Sequence, residues 1–574
     1  MKKIKLNHVA AMLLAGALLS GCAGMSKMKK NASDIDYNVT PEILETHAGK
    51  VDVEVSVRIP ANYFNKKATL IATPVLKFEG GEVAFAPRTL QGEKVQGNAE
   101  VVPYEAGKTI KYKGSVDYEV AMRISDLEVR MTAQKGEKSL DFDPVKIAQG
   151  VKATATLVQN KPANIIGKDA FQRIIAETKE ADLHYLINSA NVRWSEMKSE
   201  DIKALSEYFK TVEADAKKEY KGIEVSAYAS PDGAEDFNEK LAGKREVSSS
   251  KYVKKSMKKA KLSDYTSEEF FKSNVTPEDW DGFKKLMQAS NIRDKELILR
   301  VLSMYTDPEV REKEIRNISA AFSEVKEEIL PKLRRAKFLV NVDNIGKSDE
   351  KIKDLAKNNP AELNVEELLY AATLTEVASE KLAIYNTAKK QFAADWRAHN
   401  DAGMILFGMK KIEEAKANFD KADQLSANNA VVKNNLGAVE LVNGNVAEAE
   451  VLFGAATGAG KEVNYNLGIV AIKKAQYDLA TQQFGECYAV NSALANILAG
   501  KYTVALEKLN KNTSDDAMVD YLKAIVGART NNNNLIFSNL KSATAKDASL
   551  KAFAKSDLEF YTVFENAEFK AIVE

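Results

Sequence analysis

The histidines and cysteines bound the chemistry open to this chain. Four histidines in 574 residues (His8, His47, His184 and His399) leave little for a histidine-based metal site, and they fall in separate stretches. Two cysteines, Cys22 and Cys487, cannot form a disulfide framework. The sequence holds no phosphate-binding loop, dinucleotide fingerprint, His-Glu-x-x-His or Gly-x-Ser-x-Gly. Ser248-Ser249-Ser250 lies on a helical pattern with no base beside it, and Glu366-Glu367 reads as surface helix charge. These readings point away from an enzyme and call for no metal or cofactor. Lys+Arg 82 against Asp+Glu 81 gives a formal charge of +1, so no bulk field draws in nucleic acid.

Cys22 is the one residue with a chemical role that its surroundings define. Lys2, Lys3 and Lys5 precede an apolar run, Val9–Leu19, that is too short to span a bilayer. The ending Leu19-Ser20-Gly21-Cys22 resembles the lipobox of bacterial lipoproteins. That resemblance implies removal of residues 1–21 and modification of Cys22 with acyl chains such as palmitate. Several acyl chains at about 0.8 kcal/mol per buried CH₂ hold a protein on a membrane without a spanning helix. Processing removes three lysines and takes the charge to −2. No aspartate follows the cysteine and no acidic cluster follows it, which favours the periplasmic leaflet of the outer membrane. Residues 22–36 read as a lipidated, flexible tether.

Residues 37–160 have a period of two. Val51, Val53, Val55, Val57 and Ile59 alternate with polar residues, and further β-rich runs fall at 68–78, 109–120, 127–132 and 152–158. Gly80-Gly81 and Ala106-Gly107 supply turns. Short strands at this spacing predict a β-sandwich.

Residues 181–345 alternate strand and helix. A strand at Leu183–Ile187 precedes a helix that Ser199 opens, with Ile202, Leu205, Tyr208, Phe209 and Val212 on one face. A strand at Ile223–Tyr228, the turn Ser230-Pro231-Asp232-Gly233 and a helix over 234–259 follow. This order, with Asn238, Leu241 and Arg245 along the second helix, resembles the OmpA-like peptidoglycan-binding domain. In that family an aspartate and an arginine hold the diaminopimelate of the wall stem peptide, by guanidinium–carboxylate and carboxylate–ammonium pairing. Arg245 falls on the arginine position. The aspartate position is Ser230, with Asp232 two residues on, and a hydroxyl does not replace a carboxylate's charge. The resemblance thus implies a peptidoglycan site at Ser230, Asp232, Asn238 and Arg245. A helical insert at about 262–333 separates this part from a closing strand at 334–342. The lysines at 254, 255, 258, 259 and 261 read as a solvated face.

Residues 363–574 repeat. Ala402-Gly403, Ala415, Phe419 and Ala422 recur 34 residues on as Leu436-Gly437, Ala449, Phe453 and Ala456. A third copy has Leu467-Gly468, Ala480, Phe484 and Cys487. The period is the tetratricopeptide spacing, and it predicts an α-solenoid with a terminal cap. The small residues allow two helices to approach, and the aromatic fills the gap between neighbouring pairs. Cys487 takes a small buried helix position, and Trp396 and His399 take packing positions.

The fold class expected is therefore multidomain: β-sandwich, central α/β domain of the OmpA-like kind with a helical insert, and α-solenoid. The module order resembles envelope lipoproteins of the Bacteroidetes type. That resemblance implies a periplasmic scaffold linking outer-membrane lipid to peptidoglycan and recruiting protein partners on the repeat face. The alternative is an adaptor of a secretion or assembly machine whose OmpA-like domain no longer binds the wall.

Overall fold

The computed structural model describes residues 23–574, so the segment read as a signal, residues 1–21, and Cys22 lie outside the described residues. The chain forms two compact units, not three: residues up to Lys168 join Val377–Glu574, and Asp169–Glu376 make the other.

The first unit opens with helix α1 (Ala23–Lys30) in the stretch read as a flexible tether. Met25 and Met28, one helical turn apart, are buried, and Tyr63 Oη donates to Met28 O at 2.9 Å. Two apolar residues on one face are enough to dock a short helix, although the segment's composition is polar.

Eleven strands follow: β1 (Asp36–Thr40), β2 (Ile43–His47), β3 (Lys50–Ile59), β4 (Thr69–Phe78), β5 (Gly81–Ala84), β6 (Arg88–Gly92), β7 (Glu100–Val102), β8 (Lys108–Asp117), β9 (Ser125–Lys135), β10 (Lys138–Asp141) and β11 (Val145–Lys152). They form one continuous sheet with the order β1-β3-β2-β11-β9-β4-β6-β7, in which β8 pairs with β3, β5 with β4 and β10 with β9. The expected pair of separate sheets is corrected to a single sheet folded over on itself, because the parallel pairing of β2 with β11 joins the two layers. Alternation does its ordinary work in β3: Val51, Val53 and Val55 face Leu76 and Leu127 across the fold. The strand expected at 152–158 ends at Lys152 and gives way to a single 3₁₀ turn, Thr154–Leu157.

The solenoid begins at α11, one helix later than the repeat pattern suggests. Its helices are α11 (Ala378–Gln391), α12 (Trp396–Gly408), α13 (Ile412–Leu425), α14 (Ala430–Val442), α15 (Val446–Ala455), α16 (Lys461–Lys473), α17 (Tyr477–Phe484), α18 (Val490–Leu498), α19 (Tyr502–Lys511), α20 (Ala517–Arg529) and α21 (Asn533–Lys546), with α22 (Ser549–Lys555) and α23 (Ala567–Val573) as the cap. A Cβ added at Gly403, Gly437 or Gly468 would meet the ring of Phe419, Phe453 or Phe484 at 2.7, 2.8 or 2.6 Å. Each aromatic thus lies on the glycine of its own helix pair, and Phe419 also shares a core with Val432 and Leu436 of the next pair. Helix α17 stops at Phe484 because Gly485 turns to φ 46°, so Cys487 is half-buried in the following turn and not on a helix.

Side chains lock the β module to this solenoid. Arg529 pairs with Glu45 at 2.9 Å and with Glu559 at 2.6 Å, and Thr154 donates to Glu559. Arg123 donates to Phe553 O at 2.9 Å, and His47 Nδ1 lies 2.6 Å from Tyr477 Oη.

The second unit is a four-stranded sheet, β12-β15-β13-β14, built from β12 (Ile174–His184), β13 (Lys218–Tyr228), β14 (Phe271–Thr276) and β15 (Arg335–Ile345). Helix α2 (Glu200–Ala214) starts at Ser199, whose side chain accepts from Ile202 N. Helix α3 (Glu235–Lys259) follows β13. Strand β12 begins nine residues before the expected start at Leu183, because its register with β15 runs from Ile174↔Ile345 to His184↔Arg335. The residues after His184 are loop. The insert is not wholly helical: β14 pairs parallel with β13 at the sheet edge. Most of β14 is polar and exposed, as befits an edge strand, so its pattern does not announce it. The rest of the insert is helical, α4 (Trp280–Ala289), α5 (Lys295–Met304), α6 (Pro308–Asn317), α7 (Ser319–Glu328) and α8 (Leu330–Leu333), around its own apolar core. Helices α9 (Asp349–Asn358) and α10 (Val365–Thr373) close this unit, and Lys347 donates to both oxygens of Glu367 at 2.9 Å. That attachment is why α10 belongs here and the repeat region starts at α11.

Among the described residues, no helix is long and apolar enough to cross a membrane.

Candidate functional site

Two clusters of polar side chains stand out, one in each unit. In the second unit, the four residues read as a peptidoglycan site do come together at the end of β13 and the start of α3. Arg245 is 1 % exposed, the most buried charge in the unit. Its Nε donates to Ser189 O at 3.0 Å, one terminal nitrogen to Tyr228 O at 2.8 Å and the other to Leu186 O at 3.2 Å. Burial pushes its pKa down to about 10. Each guanidinium nitrogen therefore holds a backbone carbonyl of the two loops above the helix.

Ser230 and Asn238 are buried too. Asn238 Nδ2 donates to Ser230 O at 3.2 Å and to Gly233 O at 3.0 Å, which fixes the turn. Ser230 Oγ donates to the carboxylate of Asp232 and accepts from Arg334 Nε at 3.1 Å. Arg334 Nη2 then donates to Asp232 Oδ2 at 3.0 Å. Asp232 is thus turned onto Arg334, a residue the motif reading did not include. Its signal was the pair Arg334-Arg335 at the head of the closing strand, which is unusual before a buried strand. The neighbour Arg335 holds Asp279 at 3.0 Å. Ser230, Asp232, Asn238 and Arg245 are each held by partners within the unit, while Arg335 Nε is buried without one among the described residues.

The first unit holds the second cluster, which motif reading missed. After the turn at Thr154–Leu157, residues 158–168 run extended along the first helices of successive pairs, α12, α14, α16 and α18. Asn491 accepts from Gln159 N and donates to Gln159 O, both at 2.8 Å. Asn466 accepts from Ala163 N at 2.7 Å and donates to Ala163 O at 2.8 Å. Asn435 treats Ile165 in the same way, with both bonds at 2.7 Å. Asp401 accepts from Gly167 N at 2.7 Å.

A second row reinforces the first. Asn400 donates to Ile165 O at 3.1 Å and Asn434 to Ala163 O at 3.0 Å. The amides also chain to one another, Asn466 to Asn434, Asn435 to Asn400, and Asn400 to Asp401, each at 2.9 Å. All six of these ladder residues are buried, and burial raises the Asp401 pKa to about 7. A legible signal existed: Asp401, Asn435 and Asn466 each stand two positions before the glycine of their repeat, where a core-facing helix would carry an apolar residue.

The array reads backbone only. An asparagine amide carries a donor nitrogen and an acceptor oxygen side by side, which match the N–H and C=O of a single extended residue and leave the second N–H for the neighbouring amide. Side chains of the segment are constrained mainly by space: a Cβ at Gly167 would sit 2.9 Å from Arg397 Cβ. Of the histidines, His184 Nδ1 lies 3.3 Å from Glu196, and His399 is half-buried, with burial and the nearby Lys389 lowering its pKa. Among the described residues, no group of histidines, cysteines and carboxylates could hold a metal ion.

No family model and no curated protein matches the chain. Solved structures similar to parts of it are tetratricopeptide repeat proteins. One is YrrB, described as having an unusual peptide-binding site, at 21% identity over 30% of this chain and 97% of that one, with a TM-score of 0.24. Another, from Parabacteroides merdae, is 13% identical over 43% of this chain and 98% of that one, with a TM-score of 0.29. PilF of Pseudomonas aeruginosa is 15% identical over 38% of this chain and 98% of that one, with a TM-score of 0.28. Scores this low carry no weight alone, and the repeat fold stands on the chain's own helix pairs and glycine–phenylalanine contacts.

Proposed function

We propose that this protein is a non-enzymatic adaptor of a bacterial envelope, held to the outer membrane by acylated Cys22 and recruiting protein partners through its repeats. The observation that carries this reading is the buried asparagine array, which binds an extended backbone and offers no reactive group. Support for the anchor is the lipobox at Leu19–Cys22, and support for an OmpA-like middle unit is its strand–helix–strand–helix order with the last strand inserted between the first two.

Between the two forms of this reading, the geometry favours the adaptor that does not hold peptidoglycan. Arg245 has a carbonyl on each nitrogen, Asp232 is paired with Arg334, and Ser230 carries no charge. Crosslinking in cells followed by partner identification tests the adaptor role. Partners captured by the full chain are expected to be lost when residues 377–574 are deleted, and an unchanged partner set would sink the proposal. Incubation with isolated sacculi is expected to give no retention above a control protein. Retention that free diaminopimelate-containing stem peptide competes away would instead restore the wall-linked scaffold. Labelling with a fatty-acid analogue is expected to mark the wild type and not Cys22→Ser.

A further inference from the structure

The peptide groove of the solenoid is already filled, by the chain's own connector. From Ala163 to Gly167 the match is regular: Ala163, Ile165 and Gly167 meet Asn466, Asn435 and Asp401, two residues of chain for each repeat. An extended strand advances about 6.6–6.8 Å in two residues, so each step presents the same backbone face to the next repeat. The match then breaks. Gln159, the next residue held through its backbone, lies four positions before Ala163, and Pro162 among the three residues between has no N–H to donate.

Two polar atoms mark the poor fit. Asn164 Oδ1 and Ser492 Oγ are buried with no hydrogen-bond partner among the described residues. Buried unsatisfied groups cost about 1–3 kcal/mol each, so this occupant leaves binding energy unrealised in its own site. Two further side chains hold the connector, Gln159 Nε2 donating to Asp516 at 2.7 Å and Asn160 Nδ2 to Leu441 O at 3.2 Å, whereas Lys161 and Ile166 are exposed and Gly167 is small because the Arg397 backbone and Cβ leave no room.

From this we infer that residues 158–168 are a resident pseudo-ligand, and that the groove's partner is an extended, uncharged peptide of the pattern small-x-aliphatic-x-Gly, which displaces them. The pattern is that of Ala163-Asn164-Ile165-Ile166-Gly167 itself. A partner segment that keeps the two-residue step through the Asn491 position would fill every rung, which the connector does not. The inference rests on the adaptor reading and adds to it the class of partner and the element that holds the site closed in its absence.

The probe is a fluorescein-labelled peptide with the sequence of residues 158–169, added to the purified full-length protein. Hydrogen exchange on the unmodified protein comes first. The amides of Ala163, Ile165 and Gly167 are expected to exchange at least about tenfold faster than those of α14 and α16, through a local opening. Excess peptide should raise their exchange further. Exchange only in step with the flanking helices, unmoved by peptide, would mean a permanent staple and overturn the inference.

The second arm disables the connector with Ile165→Asp and Gly167→Val. Peptide affinity is then expected to rise at least about tenfold over wild type, as a cis competitor is removed, and to vanish when Asn435→Ala and Asn466→Ala are added. Equal affinity in the connector-disabled protein with and without the ladder overturns the proposal, as does dimerisation of the disabled chain in place of peptide binding. Partner capture in cells that persists in the ladder-less protein would leave the adaptor role standing while removing this site from it.

Discussion

The Arg245 cluster and the asparagine ladder both bind backbone of their own chain, yet they differ in what they could release. Arg245 places one rigid, charged fork on three carbonyls from two loops, so every bond depends on a single side chain at one position. The ladder distributes asparagine amides and one carboxylate, Asp401, over four repeats, each holding backbone of an extended segment. Losing the arginine strands several carbonyls at once, whereas opening the ladder exposes matched donors and acceptors that another peptide can satisfy. A buried charge thus suits a permanent clamp, and a repeated neutral amide suits an exchangeable one.

The widest test of this contrast is Arg245→Met. It removes the side-chain donor from the carbonyls of Ser189, Tyr228 and Leu186, of which Leu186 O keeps the Ser189 N–H, and is expected to destabilise the second unit by about 3 kcal/mol, read as a fall in its unfolding midpoint. An unchanged midpoint would mean that the cluster is open to water and to ligands, contrary to its sealed geometry.

Asp401→Asn is next, and its effect depends on pH. Burial raises the Asp401 pKa from 3.8 to about 7, so between those values the unfolded chain loses the proton while the folded chain keeps it. The contribution of Asp401 to folded stability is therefore greatest below pH 3.8 and falls as pH rises toward about 7. Asparagine keeps the acceptor for Gly167 N and has no charge to bury. The variant is expected to gain about 2 kcal/mol over wild type at about pH 8 and almost nothing at about pH 4, in parallel denaturant titrations. A gain of equal size at both would show that the carboxylate is not the cause.

Gly437→Ala is expected to cost about 2 kcal/mol, because the new methyl meets the Phe453 ring, and Phe453→Leu in the same chain should recover part of that loss. Additive losses in the double variant would separate the two residues. The smallest effect is expected from Asn435→Ala, about 1 kcal/mol globally, since the other rungs remain. Its signature is local: the Ile165 amide should lose protection while the helices around it keep theirs.

The sequence announced elements whose pattern is local. The alternation of Val51, Val53 and Val55 placed β3, Ser199 marked the start of α2, and the recurring glycine and phenylalanine placed the helix pairs. The four residues Ser230, Asp232, Asn238 and Arg245 were also legible as a group, and they do meet in space. Their partners were not, because Arg334 arrives about a hundred positions later on a different strand. Strand β14 hid for a related reason: an edge strand with one neighbour needs no apolar alternation. Met25 and Met28 show the reverse, a polar stretch ordered by two residues on one helical face.

By itself, then, the sequence determined the repeat register and the strand periodicity, each a property of residues close together in the chain. Only the tertiary structure decided that the β sheet folds over and joins the solenoid, that Arg245 is buried on three backbone carbonyls, and that residues 158–168 lie along the asparagine-bearing helices. Those facts rest on pairings such as Asn435 with Ile165, 270 residues apart. A spacing rule cannot show such contacts, because what selects them is the geometry of the assembled helices and the need of each buried amide for a partner.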